Sequence, residues 1–275
     1  MNFYEFEKLF KEKEKEININ IPDENVEKFY KYMKSLIEWN EKINLTAITD
    51  EEEIIAKHFI DSLTILKYIK DDYTMIDVGT GAGFPGLPIA ISSKAEVTLL
   101  DSLNKRVNFL NSISNELELK NVNTVHGRAE EMGVNQKYRE KYDIAVSRAV
   151  APMNVLVEYL LPFVKIGGIC ICMKGPKADE ELKEAKRAIK LLGGEIIKQE
   201  KLKLDNEKME RNLIIIKKVS TTAKKYPRKP GMPAKQPVQM NSWKSFRMVW
   251  IPCWSRVEET CQEGRSKDFV LPEPY

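Results

Sequence analysis

The chain has 275 residues, 43% of them hydrophobic, and its 44 basic and 41 acidic side chains leave a formal net charge of +3. That is enough apolar material for a sizeable core, which excludes a chain disordered throughout. No apolar run approaches the roughly 18 residues of a membrane span, and the charged stretch from Lys8 to Glu16 excludes a signal-peptide core, so a cytoplasmic protein without a membrane partner is expected.

In chain order, Val26, Phe29, Tyr30, Met33, Leu36 and Ile37 recur at helical spacing after Pro22-Asp23, which supply a helix start and an N-cap. A second helical segment is predicted from about Asp50 to Ile69, with Ile54, Ile55, Phe59, Leu63 and Leu66 inward. Residues 1–70 therefore read as a helical cap. From Thr74 short apolar runs alternate with helical patterns, as β-α-β units and a parallel sheet require. Strands are predicted near 74–78, 96–100, 122–126, 142–147 and 168–173. The helices between them carry Val107, Leu110, Ile113 and Leu117, then Val155, Leu156, Tyr159 and Leu160, then Leu182, Ala185, Ile189 and Leu192, the last closed by Gly193-Gly194. Ile196 to Leu204 and Asn212 to Val219 follow with only a polar turn, Asp205 to Lys208, between them, so they pair as an antiparallel hairpin. Residues 71–219 are thus expected to form a doubly wound, Rossmann-like α/β sheet closed by that hairpin, the plan of the class I S-adenosylmethionine-dependent methyltransferases. Cys170 and Cys172 lie in an apolar run and Cys253 and Cys261 near the end, spacings that fit neither a disulfide scaffold nor zinc ligation, so no metal is expected.

The most informative stretch runs from Met75 to Gly86, an apolar strand leading into Asp77-Val78-Gly79-Thr80-Gly81-Ala82-Gly83-Phe84-Pro85-Gly86. Without Cβ atoms such a turn bends sharply and lets a ligand lie on bare backbone. A dinucleotide fingerprint would place glycine where Phe84 stands; three glycines at alternate positions led by Asp77 favour a cofactor without a pyrophosphate. S-adenosylmethionine has an amino-acid end and a ribose, and Asp77 is expected to meet its ammonium. A glycine turn with no ligand is the bland alternative. Asp101 ends the second strand, where doubly wound folds place a carboxylate on ribose hydroxyls, yet Asp101 or Ser102 equally suits the cap of the next helix.

Taken together, Asn44-Leu45-Thr46, His58-Phe59-Ile60-Asp61-Ser62-Leu63, the loop from Asp77 to Gly86, Leu100-Asp101-Ser102 with Lys105-Arg106, Arg128-Ala129-Glu130-Glu131, Ser147-Arg148-Ala149 and Met173-Lys174-Gly175 resemble the bacterial RsmG family, historically called glucose-inhibited division protein B. The resemblance runs in order over about residues 1–238. It implies transfer of a methyl group from S-adenosylmethionine to guanine N7 of 16S ribosomal RNA, at the guanine conventionally numbered 527, with the small ribosomal subunit as partner. It also implies that Gly79 and Phe84 line the cofactor, with Gly81 and Gly83 completing the loop. On the same ground Asp101 sits near the ribose, Ala129 and Glu130 flank the adenine, and Arg148 closes the site.

Guanine N7 is an in-plane lone pair with no proton to lose, so no general base is required and placement and electrostatics carry the rate. Arg148 and Lys174 end strands on the ligand side of the sheet; each either faces guanine O6 or a phosphate or forms a surface ion pair. His58, on an apolar helix face one turn before Asp61 and Ser62, reads as part of a structural hydrogen-bond network joining cap to sheet, not as a catalyst. Lys105 and Arg106 either face RNA or solvate a helix start. A non-catalytic ribosome-assembly factor and a small-molecule methyltransferase are the rival functions.

From Lys217 onward 12 basic residues face 5 acidic ones, a net +7 that leaves −4 for the first 216 residues. Residues 220–238, rich in proline, are expected to form an extended basic strip contacting RNA, a solubilising tail being the bland alternative. Residues 239–275 hold Trp243, Trp250 and Trp254 with no pattern that would bury them and read as an atypical, non-functional tail, the alternative being an RNA-stacking arm in which these rings interleave with Lys244, Arg247 and Arg256. A monomer is the expected state.

Overall fold

The computed structural model describes residues 1–238, so the tail expected at 239–275 lies outside the described residues. The chain opens with α1, Phe3–Glu14, and α2, Asp23–Ile43. Charges crowd α1 and hide it in the sequence, but Phe6 and Phe10, one turn apart, are fully buried and Asn2 caps it in a capping box with Glu5. In α2 Pro22 takes the N-cap and Asp23 the first turn, a correction to the expected Asp23 cap. The helical segment expected over about 50–69 is helical without a break from Glu51 to Leu63, wound as α3 Glu51–Glu53, a π-helical turn Ile54–Ile60 and α4 Asp61–Leu63, and a 3-10 turn Leu66–Tyr68 follows. Ile54, Ile55, Phe59 and Leu63 are buried as predicted, whereas Leu66 is half-buried.

The rest alternates as the sequence predicts: β1 Thr74–Val78, α5 Gly86–Ser92, β2 Glu96–Asp101, α6 Asn104–Glu116, β3 Val122–His126, α7 Ala129–Met132, β4 Tyr142–Arg148, α8 Met153–Leu160, β5 Val164–Lys174 and α9 Ala178–Leu191. Then come β6 Gly194–Leu204, β7 Met209–Lys218 and a short α10 Met232–Lys235. The strands lie in the order β3-β2-β1-β4-β5-β7-β6; β1 to β5 are parallel, and β7 inserts antiparallel between β5 and β6. This is the doubly wound α/β sheet with its terminal hairpin. Alternating side chains serve two cores: Ile144, Val146 and Ile171 pack with α1, α2, α5 and α6, while Ala145, Cys170 and Cys172 pack with α8 and α9. Burial pushes the Cys172 thiol up to about 12, as suits core packing rather than reactivity.

The chain builds β1, β2 and β3 toward one edge and then returns to lay β4 on the other side of β1. The connections after β1 and β4 therefore diverge, and a crevice opens at the carboxyl ends of these strands. Val78 leads into the glycine loop there, and Arg148 ends β4 beside it.

The strip after β7 is not extended into solvent. It folds onto the face carrying α7 and α8, burying Tyr226 and Pro227. Arg139 donates to three carbonyls of the strip, Thr222 O at 2.7 Å, Tyr226 O at 2.8 Å and Ala223 O at 3.4 Å. Arg228 is spent on the fully buried Glu158, with Nη2 to Oε2 at 2.6 Å and Nε to Oε1 at 2.9 Å. Lys224, Lys225, Lys229 and Lys235 stay exposed.

Candidate active site

At the crevice the loop presents backbone. Gly79 and Gly81 both adopt positive φ, +72° and +63°, and both line the cavity. A Cβ on Gly81 would meet no atom within 4 Å and would stand in the cavity itself. Two expected ligand residues lie elsewhere. Gly83 is buried beneath the loop, where a Cβ would come within 2.7 Å of the Tyr32 hydroxyl oxygen, so its bareness serves packing against α2. Asp77 does not line the cavity: it is wholly buried, and its Oδ2 accepts from Thr80 Oγ1 at 2.6 Å and Gly86 N at 2.8 Å, bracing the loop from behind. Burial pushes its carboxyl up to about 7 against those hydrogen bonds and the Arg148 charge, and Oδ1 has no partner among the described residues.

Asp101 does face the cavity. Its Oδ2 accepts from Gly81 N and its Oδ1 from Leu103 N, both at 2.9 Å, with Arg106 Nη1 3.5 Å away. Neither it nor Ser102 caps α6, whose N-cap is Leu103 without a side-chain bond. Lys105 Nζ donates to Ile43 O at the end of α2 at 3.0 Å.

A column of rings ties the helical cap to this loop: Phe10, Phe29, Phe59, Tyr32 and Phe84 follow one another at centroid spacings of 4.9 to 5.4 Å. Tyr32 Oη also donates to Ala82 O at 2.5 Å. His58 stacks on Phe84 at 4.4 Å, and the Arg148 guanidinium lies 5.2 Å from the same ring. Arg148 then forks, Nη1 to Lys57 O at 3.0 Å and Asp61 Oδ2 at 2.8 Å, Nη2 to His58 Nδ1 at 3.2 Å. Because Nδ1 accepts, the proton of the imidazole is on Nε2, which donates to Thr46 Oγ1 at 2.9 Å. Burial, then the neighbouring Arg148, lowers His58 to about 3, so it is neutral at physiological pH. The structural role expected of His58 is the one these contacts describe. Asp61, fully buried, also accepts from Arg211 Nε at 3.0 Å and so joins the cap to β4 and β7. Lys174 is paired but not at the surface: its nearly buried Nζ reaches Glu181 at 2.6 Å and Ala151 O at 2.7 Å.

The site has two lobes. The larger, about 840 Å³, is lined by Thr46, His58, Gly79, Gly81, Phe84, Asp101, Arg148 and Lys174 among others, and its five basic against three acidic side chains give it a positive balance. The smaller, about 330 Å³, is lined by Gly127, Ala129, Glu130, Tyr159 and Gly231. Gly79, Asp101, Ser102 and Val150 line both, so the lobes adjoin as an elongated site of small-molecule size. Bare backbone, a carboxylate at the junction and a second carboxylate in the smaller lobe suit a cofactor that is amino acid at one end and adenosine at the other.

Residues 25–214 match the family described as GidB, rRNA small subunit methyltransferase G. The chain belongs to this family. It is 53% identical over 227 residues to the ribosomal RNA small subunit methyltransferase G of Alkaliphilus metalliredigens, covering 82% of this chain and 95% of that one. It is 51% identical over 238 residues to that of Alkaliphilus oremlandii, covering 86% and 100%. As a family member the chain is a methyltransferase, and the resemblance in its motifs is confirmed.

Sequence reasoning missed Arg211 and Glu181, which line this methyltransferase site, and Tyr32, which braces its glycine loop from the core. Tyr32 sits at core spacing in α2, and Arg211 carries only the alternating pattern of a strand, so neither had a signal beyond its element.

Proposed function

We infer that this chain transfers a methyl group from S-adenosylmethionine to N7 of a guanine in 16S rRNA of the small ribosomal subunit, acting as a monomer in the cytoplasm. The observation that carries this, beside family membership, is the two-lobed site meeting at Gly79 and Asp101 over the switch point of the sheet. When bound, S-adenosylmethionine supplies an electrophilic methyl group on a sulfonium. Gly79 and Gly81 offer it backbone, and Phe84 and Arg148 flank the larger lobe. Asp101 keeps a second lone pair on each oxygen for ribose hydroxyls, and Ala129 and Glu130 take the adenine. Asp77 acts through the loop it braces.

Among the described residues that line the larger lobe, Asp101 is assigned to the ribose and the other groups that could take a proton are already engaged. His58 is already bonded at both nitrogens, Asp61 is held between two arginines, and Glu181 by Lys174 and Met153 N. N7 methylation asks for none, which favours it over chemistry that deprotonates its nucleophile. Arg148, Lys174 and Arg211 instead give a positive wall suited to guanine O6 and phosphate.

The test is incubation of small subunits from cells lacking this activity with methyl-labelled S-adenosylmethionine. Label should enter 16S rRNA, and Arg148→Lys, which loses the fork to Asp61 and His58, should cut the rate at least about tenfold. Donor binding with no label transferred would support an assembly factor instead.

A further inference from the structure

We propose that the C-terminal strip forms a wall of the smaller lobe and that Arg228 and Gly231 are positioning residues for Glu130, setting selectivity for a purine with a 6-amino group. The proposal rests on S-adenosylmethionine binding in this site with its adenine in the smaller lobe.

Gly231 lines that lobe together with Ala129, Glu130 and Tyr159. Its N–H donates to Glu130 Oε1 at 2.9 Å, and among the described residues the Glu130 side chain makes no other hydrogen bond. One oxygen of the carboxylate is therefore fixed by the strip, and the other remains for a ligand. A carboxylate only accepts, so it matches the N–H groups of a 6-aminopurine and opposes the carbonyl oxygen of a 6-oxopurine. Sites built around such a hydrogen bond discriminate strongly, because the mismatched ligand leaves a desolvated acceptor unpaired.

What holds Gly231 there is Arg228. Its guanidinium and backbone N–H both bind Glu158, and its Nη1 donates to Gln236 O at 2.7 Å, closing the turn that contains Gly231. Gly231 itself has φ +81°, which turns the chain into α10. The basic residue that the sequence assigns to RNA is thus a latch on the cofactor side. Removing residues 220–238 would weaken cofactor binding as well as any RNA contact.

The test is titration calorimetry on the full chain with S-adenosylhomocysteine and with S-inosylhomocysteine, whose 6-amino group is replaced by oxygen. The wild type should prefer the adenosyl compound at least about tenfold. Arg228→Lys keeps the charge but loses the fork, and should narrow that preference to within about threefold by weakening the adenosyl compound selectively. Glu158→Gln removes the charge on which Arg228 is held while leaving Gly231 itself unchanged, and should narrow it likewise; it carries the test if Arg228→Lys does not fold. An unchanged preference in a folded variant, or equal weakening of both compounds, overturns the proposal. Wild-type protein that binds neither compound overturns the cofactor reading itself, and is told apart because the failure precedes any substitution.

Discussion

Asp77 and His58 are buried side chains displaced in ways that oppose one another across pH. Below its ordinary 6.5, His58 refuses a proton that the unfolded chain accepts, because its folded value is about 3; its contribution to stability falls as pH drops, by about 1.4 kcal/mol per pH unit. Asp77 has a folded value of about 7 against an ordinary 3.8, so from pH 3.8 to 7 the folded chain holds a proton that the unfolded one has released, and stability falls as pH rises. Between about pH 4 and 6.5 the two slopes cancel. Asp77→Asn mimics the protonated acid and removes one of them. Urea unfolding without cofactor at pH 4.5 to 6.5 should show the stability of the variant, relative to wild type, rising by about 1.4 kcal/mol per pH unit; a pH-independent difference would contradict the assignment. At this scale the sequence identified Gly79, Phe84, Asp101, Ala129, Glu130 and Arg148 as site residues, and all six line the two lobes. It misplaced Asp77 and Gly83 because a strand-to-loop motif shows which residues share a turn, not which side of the turn meets the ligand.

At the scale of elements, periodicity carried the parallel strands and the hairpin, because burial on one or both faces leaves a repeat in the text. It did not reveal the π-helical turn Ile54–Ile60, since Ile54, Ile55 and Phe59 look alike in either winding. That turn, with the first residue of α4, nevertheless delivers the Lys57 carbonyl, His58 and Asp61 to one guanidinium. Asp61→Ala, which leaves Arg148 and Arg211 facing each other without their shared carboxylate, should destabilise the fold by about 3–5 kcal/mol in chemical denaturation. Helix α1 was hidden by its charge, yet Phe10 sits against Phe29 and begins the ring column that reaches Phe84. Phe10→Ala should cost about 3–5 kcal/mol by the same measurement, far more than an exposed cap residue would. The strip was misread as extended because its partners Glu158, Glu140 and Glu130 come from distant segments.

Over the whole molecule, the crevice follows from strand order, of which the sequence showed the parallel strands and the closing hairpin but not the order itself. The meeting of cap, sheet and strip around it was not readable either, because contacts such as Arg148 with His58 and Arg228 with Glu158 join residues far apart in the chain. Among the described residues no helix is long and apolar enough to cross a membrane. We propose that a chain ending at Val238 retains full methyl transfer to small subunits; a loss of more than about threefold would assign residues 239–275 a part in binding RNA. Where the methyl group lands decides the reaction. Small subunits methylated by this protein are treated with borohydride and aniline, which cut RNA at N7-methylguanine. One new cut in 16S rRNA, forming at least about tenfold more slowly with Arg148→Lys, is the predicted result, and methyl incorporation without any cut would contradict the assignment to N7.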